Sequence, residues 1–527
     1  MIRNQQALLQ PQDRPDTGTI DVPALLAALP ARIDTIVRAV AARMPEAPAL
    51  VEAGRMLRYR ELVALIDRRA DGLRAHGVRP GDRVLIVSEN CADQVALIFA
   101  ASTVGAWFVN VNPRLSAPEL ETIRSHSGAR LALYTAAVSP EAAAHAGRAG
   151  AVFEDGVMAG PRNDACDPEA EQAEPVAALV YTTGTTGKPK GVMLSHRSLG
   201  FVAGVSGRLR GLTPADRAWG VLPISHVYGL TSVMLGTLSA GACLQLAPRF
   251  TPEAMLAAIR GAGDDGAGLS IVQGVPAMYA RLLEHVGDEA LPASRLRFAY
   301  AGGSPLDPAL KAAVERLLGV PLHNGYGLSE AAPTVSQTRL DAPRADTSVG
   351  QAIPGVEVRV VDRDGRDVAD GSAGELWVRG PNLMRGYYRD PDATGAALRP
   401  GGWLNTGDMA RREPGGALFI VGRTKELIIR SGFNVFPLEV ETVLNAHPGV
   451  TQSAVVGRFL ADGNEEVVAF VQPDPRRTPT EAALRAWAAA RLAPYKRPGR
   501  IVLLAALPAA ATGKVLRHVL KERAAQL

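Results

Sequence analysis

Cysteine is scarce in this chain of 527 residues: Cys91, Cys166 and Cys243 are odd in number and far apart. That excludes a clustered zinc motif and a disulfide framework, and it fits a reducing cytoplasm. Long apolar runs are missing as well. The longest, VALIFAASTVGAWFV (95–109), is short, is interrupted by Ser102, Thr103 and Gly105, and reads as a buried helix running into a strand, not a transmembrane segment. The opening MIRNQQALLQPQDRPDTG has no uninterrupted apolar core, so no secretory signal is expected. Basic blocks and basic–aromatic interleaving are absent and the net charge is only +4, so no nucleic-acid partner is expected. Lysine is the rarest charged side chain: of 57 basic residues only 188, 190, 311, 425, 496, 514 and 521 are lysines. Where arginine is the default cation, a lysine marks a place that needs a compact amine and not a planar fork.

What is present is a globular composition, 47% hydrophobic and 21% charged, in a chain too long for one core. Through the first 350 residues, β-branched runs such as RVLIVSE (83–89) and LALY (131–134) alternate with helical stretches such as YRELVALIDRRADGLRAHG (59–77), which predicts α/β layers. From about 350 to 421 the texture changes to VEVRVVDRDGRDV and GELWVRG, which predicts a small antiparallel, barrel-like part. A compact α+β tail follows from 422. Residues 137–175, rich in Ala, Gly, Asp, Glu and Pro, read as a variable surface segment.

One loop stands out. YTTGTTGKPKGV (181–192) places four threonines, three glycines and two lysines in twelve positions. Glycine admits a ligand close to backbone N–H groups, threonine adds hydroxyl donors and lysine adds positive charge, so the stretch describes a cradle for a polyanion such as a triphosphate. It is not a Walker A loop: Pro189 follows Gly187-Lys188 where Ser or Thr is required, and no glycine lies five positions before Gly187. The apolar flanks AALVY (177–181) and VML (192–194) predict strand–loop–strand, with a helix starting only at Ser195.

Six further stretches follow in order: LPISHVYGL (222–230), AYAGGSPL (299–306), HNGYGLSEAAP (323–333), GWLNTGDMA (402–410), GRTKELIIRSGFNVFPLEVE (422–441) and PAAATGKVLR (508–517). Singly, several have plain readings: Asp408 as a turn residue, His226 as a satisfied core histidine, Glu330 as a carboxylate favoured by a helix N-terminus. Together, in this order, they resemble the adenylate-forming superfamily of acyl-CoA synthetases, luciferases and peptide-synthetase adenylation domains, from about residue 35 onward.

The resemblance implies a large N-terminal α/β domain (1–421) and a smaller, mobile α+β C-terminal domain (422–527), with the active site between them. It implies two half-reactions: a carboxylate attacks the α-phosphate of ATP to give acyl-AMP and pyrophosphate, and a thiol, usually that of coenzyme A, then displaces AMP. By the same resemblance Thr182, Thr183, Gly184, Thr185, Thr186, Gly187 and Lys190 hold the β- and γ-phosphates, and Glu330 is the Mg²⁺ ligand. Tyr326 packs on adenine with Gly327 and Ser329 lining the nucleotide, while Asp408 binds the ribose hydroxyls, supported by Arg423. Lys514 reaches in during adenylation, Lys425 is the hinge, Gly432 is a wall of the thiol tunnel, and His226 sits at a gate between nucleotide and acid. The acid pocket is lined by Val227, Tyr228, Gly302, Gly303, Ala332, Pro333 and Thr334, apolar or small residues that favour a fatty or aromatic monocarboxylic acid. Such an enzyme would take a small-molecule acid, ATP and CoA as partners, and a homodimer stays open.

The carboxylate is already nucleophilic, so this chemistry needs no base. Its barrier lies in charge gathering on phosphorus and pyrophosphate, which metal and amines offset. Two departures from the superfamily pattern appear: Ser329-Glu330 replaces the commoner Thr-Glu, and Ile429 stands where some aryl-CoA ligases carry lysine. Transfer to a carrier-protein thiol, a luciferase-like oxidation and a non-catalytic nucleotide-binding protein remain as alternatives.

Overall fold

The computed structural model describes residues 20–169, 175–183, 189–261, 267–287, 291, 294–430, 433–460, 464–509 and 515–527. The Arg83–Val87 strand is buried at every position and pairs in parallel with Trp107–Val111 and Leu131–Tyr134, as a continuous apolar run bounded by polar turns should. Between the first two lies the Ala92–Val104 helix, capped by Cys91 and ended by Gly105 at φ 81. It is buried on nearly every side, so the 95–109 run is the buried helix and strand that its short length predicted.

Among the described residues two large sheets form. One runs Gln351–Ala352, Thr334–Gln337, Leu322–Gly327, Phe298–Ala301, Ile271–Gly274, Arg217–Gly220, Cys243–Leu246, Pro48–Glu52 and Arg55–Arg58, with its middle strands parallel. The other runs Gly386–Tyr387, Pro189–Ser195, Val176–Thr183, Trp107–Val111, Arg83–Val87, Leu131–Tyr134, Val157–Ala159 and Val152–Glu154. One core reaches from Leu25 to Leu418 and joins both sheets. The antiparallel texture after 350 becomes a sheet of Glu357–Val361, Ala373–Arg379, Trp403–Arg412 and Leu398–Arg399, with Leu418–Arg423 paired to Trp403–Arg412.

Beyond this sheet the packing changes owner. Two further cores draw only on residues from Ile428 onward, built by Val450–Phe459, Glu465–Pro473 and Arg500–Leu503 with three covering helices. The fold is therefore a large α/β N-terminal domain, carrying a half-barrel sheet, followed by a smaller α+β domain.

Within 137–169 the structure shows a helix and a short hairpin. Ser139 caps a helix at Pro140–Arg148, whose His145 Nε2 meets the carbonyls of Pro113 and Leu115 at 3.1 and 3.0 Å. An Asp155-Gly156 turn, with φ 45 and 89, then folds Val152–Glu154 onto Val157–Ala159 at the sheet edge. Small helix formers and a D-G turn suffice for these local elements. Among the described residues no helix is long and apolar enough to cross a membrane.

Candidate active site

Ligands of open α/β sheets gather outside the carboxyl ends of parallel strands, and three of the singled-out stretches lie there. Arg217–Gly220 leads into 222–228, Phe298–Ala301 into Gly302 and Gly303, and Leu322–Gly327 into Ser329 and Glu330. Backbone crowding explains the glycines. A Cβ on Gly327 would stand 2.3 Å from the Pro333 carbonyl oxygen, which accepts from Leu328 N at 3.0 Å. The turn Ser329–Ala331 follows, then Ala332 at φ 59 and a cis Ala332–Pro333 peptide.

The threonine–glycine loop is strand–loop–strand: Val176–Thr183 and Pro189–Ser195 pair antiparallel, with Thr182 opposite Lys190, and Ser195 caps the next helix at His196–Leu209. Gly184, Thr185, Thr186 and Gly187 lie outside the described residues, as does the side chain of Thr183. Lys190 Nζ sits 4.8 Å from the centroid of the Tyr387 ring, and Tyr387 Oη donates to Glu330 Oε1 at 2.7 Å. Tyr387 reaches that position because Gly386–Tyr387 pairs with Met193 and Val192, while Met384 N donates to the Glu330 carbonyl at 2.8 Å. Burial, and then the Glu330 carboxylate, push the Tyr387 phenol above its usual pKa, so it stays a donor. Tyr387 did not emerge from the sequence reading. Its only signal there is the paired aromatic in RGYYRD (385–390).

A second link runs beside the first. Tyr326 Oη donates to Asp408 Oδ2 at 2.5 Å, and Asp408 Oδ1 lies 3.1 Å from Arg423 Nε. Burial, then Asp408, raise the Tyr326 pKa and keep it protonated. Asp408 is not the turn residue its TGD setting suggested. It lies within the Trp403–Arg412 strand, directly opposite Arg423, with Gly407 at φ 70 just before it and a register shift just after. The turn-forming residues thus make an irregularity inside a strand instead of a chain reversal.

His226 is exposed, which removes the core-histidine reading. Its Nδ1 accepts from Tyr228 N at 3.2 Å, and two residues on, a π-helical segment begins, Tyr228–Leu235. Gly229 is obligatory there, since a Cβ would lie 2.2 Å from the Pro223 carbonyl oxygen. Val227 is fully buried in the core, whereas Tyr228 lies against Gly302, where a Cβ would stand 3.1 Å from Tyr228 Cε1. Thr334 joins this side through Ser232, Oγ1 to Oγ 3.1 Å.

Lys425 is exposed in the Thr424–Glu426 turn between the two domains' cores, and its carbonyl accepts from Lys521 Nζ at 3.4 Å. Gly432 and Lys514 lie outside the described residues. Their flanks pair antiparallel, Arg430 with Phe433 and Ala509 with Val515.

Comparison with known proteins bears on the family and the fold. Residues 37–388 match the AMP-binding enzyme family, and 439–514 match the AMP-binding enzyme C-terminal domain. A feruloyl-CoA synthase of Amycolatopsis sp is 36% identical over 492 residues, covering 92% of this chain and 97% of that protein. The 4-coumarate–CoA ligase 2 of Oryza sativa is 33% identical, covering 92% and 91%. ATP-bound MatB from Rhodopseudomonas palustris superposes with a TM-score of 0.82 at 30% identity, over 94% of this chain and 99% of that one.

Proposed function

The chain belongs to the family of AMP-binding enzymes and is an ATP-dependent, AMP-forming acid–thiol ligase that makes acyl-CoA through acyl-AMP, and on that premise we propose that its acid is aromatic. The names of the relatives support an aromatic acid over a fatty one. The observation that carries the assignment of roles is the convergence of Lys190, Tyr387 and Glu330 with Tyr326, Asp408 and Arg423.

In this reading Lys190 and the loop 182–187 grip the β- and γ-phosphates. Lys190 lies on a strand and Glu330 in a tight turn, so both are held before ATP arrives. Glu330 is a hard oxygen donor aimed by Tyr387. Magnesium in phosphoryl-transfer sites takes one or two carboxylates with phosphate oxygens, so this donor set fits it. When bound, the metal neutralises charge on the phosphates. Asp408 is buried and held from one side by Tyr326 and from the other by Arg423, which leaves a fixed acceptor for the ribose hydroxyls. Tyr326, Gly327 and Ser329 border the nucleotide, and His226 stands exposed between it and the acid pocket at Tyr228, Gly302, Gly303, Ala332, Pro333 and Thr334.

The N-terminal domain ends at about 421 and the C-terminal domain begins at 422, a division supported by cores that do not mix side chains across Lys425. Rotation at Lys425 exchanges Lys514, which serves adenylation, for the 430–434 loop with Gly432, which serves the thiol. Cytoplasmic residence and a homodimer complete the proposal; the three cysteines, all buried and none in a disulfide, accord with a reducing compartment.

A panel of aromatic and fatty acids, scored by pyrophosphate release with and without CoA, tests the reading. Aromatic acids should release pyrophosphate and yield a thioester when CoA is added. Preference for long-chain fatty acids, or adenylation without transfer to CoA, would contradict it.

A further inference from the structure

Beside the acid side of the site lies a buried cation whose guanidinium is only partly satisfied and which has no carboxylate partner among the described residues. Arg210, the residue that ends the His196–Leu209 helix, is 3% exposed. Its Nη1 donates to the Ser232 carbonyl at 3.0 Å and its Nη2 to Gln337 Oε1 at 3.4 Å, and the guanidinium lies 4.7 Å from the Tyr300 ring centroid. Its Nε is buried without a hydrogen-bond partner, as is Ser206 Oγ one turn earlier on the same helix. Among the described residues no carboxylate lies within ion-pair distance of it. A cation taken from water without an anion is costly, and proteins keep one where something charged or strongly accepting comes to meet it.

Its position says what that is. Ser232 stands four residues after Tyr228 on the π-helical segment, and its Oγ meets Thr334 Oγ1 at 3.1 Å. Tyr228 packs against Gly302, at the carboxyl end of the Phe298–Ala301 strand and in the acid pocket proposed above. Burial pushes the Tyr228 phenol up to about 12, with Arg210 opposing that shift, and the contact to Arg210 runs through the Ser232 carbonyl on the same segment. Tyr228, Ser232 and Thr334 therefore lead from the reacting end to Arg210.

We propose that Arg210 closes the far end of the acid pocket and selects acids bearing an acceptor oxygen, such as a ring hydroxyl, a carbonyl or a second carboxylate, at the end remote from the activated carboxylate. This rests on the aromatic-acid reading above and narrows it. The sequence reading offered no cation to this pocket, because Arg210 comes from a helix end outside every motif and is brought in only by packing.

The test compares 3-phenylpropenoic acid with its 4-hydroxy and 4-carboxy derivatives, by kcat/KM for pyrophosphate release. The wild-type enzyme should favour at least one oxygen-bearing acid by tenfold or more, as sites built to bond a substrate oxygen do. The two derivatives separate a neutral acceptor from an anion. Arg210→Met should move that ratio toward one, and Arg210→Lys should retain part of it. A merely structural arginine would lower all three acids by one factor and leave the ratio in place, which would overturn the proposal, as would a wild-type preference for the unsubstituted acid. If Arg210→Met does not fold, the wild-type ratio and Arg210→Lys decide. Turnover of fatty acids but of none of these three would instead overturn the aromatic reading itself.

Discussion

Replacing Tyr387 by phenylalanine deletes one oxygen and leaves the ring. The ring continues to lie under Lys190 Nζ, 4.8 Å away, so the amine keeps its seat. What disappears is the 2.7 Å hydrogen bond to Glu330 Oε1. Glu330 is half-buried in a tight turn, and this phenol is the side-chain donor that fixes its oxygen. A hydrogen bond that orients a metal-ligating carboxylate is worth roughly ten- to a hundredfold in metal affinity, about 1.4–2.7 kcal/mol. The magnesium midpoint for pyrophosphate release should rise by that factor in Tyr387→Phe, with kcat recovering at saturating metal. Tyr387→Leu should add a loss of about 0.5–1 kcal/mol from the missing ring face, read as a higher KM for ATP. A magnesium titration of folded Tyr387→Phe that overlays the wild type would refute the claim that Tyr387 aims Glu330.

Two further predictions follow from packing and titration. Gly302→Ala places a methyl 3.1 Å from Tyr228 Cε1, tight enough to displace the ring at a cost of about 1–3 kcal/mol; KM for the acid should rise well above any change in KM for ATP, and equal changes in both would count against the pocket assignment. Burial, then Arg32, lowers the His196 pKa from 6.5 to about 3, and burial, then Lys311, lowers that of His323 from 6.5 to about 4. Both folded-state values lie below the unfolded one, so their stabilisation is complete above about pH 6.5 and is lost as the unfolded chain takes up protons below it. Unfolding free energy should fall between pH 6.5 and 5 with a slope approaching about 1.4 kcal/mol per pH unit for each histidine, and His196→Asn should remove one such share. An unchanged slope in that variant would show that His196 is not held neutral.

Local signals carried much of the fold. Strand–loop–strand at 176–195 was legible because apolar runs flank the threonine–glycine loop and Ser195 offers a cap. The change of texture near 350 was legible because alternating residues and D-G turns need no distant partner. What escaped was non-local. Tyr387 matters because a two-residue strand pairs with Val192 and Met193 about 190 residues earlier. Asp408 sits in a strand because its partner is Arg423, a pairing that turn chemistry read along the chain does not report. Arg210 is one arginine among many until the helix end is buried beside Ser232 and Gln337.

The two-state use of one site is tested most directly by assaying each half-reaction alone in two variants. Lys514→Ala and Lys425→Pro are each measured from ATP and acid, reading pyrophosphate, and from pre-formed acyl-AMP with CoA, reading thioester. Lys514→Ala should fail the first assay by several orders of magnitude and largely pass the second. Lys425→Pro should do the reverse, because proline fixes φ and removes an N–H at the residue that must rotate. Equal loss of both half-reactions in both folded variants would mean that one rigid site performs all the chemistry, and would contradict the account.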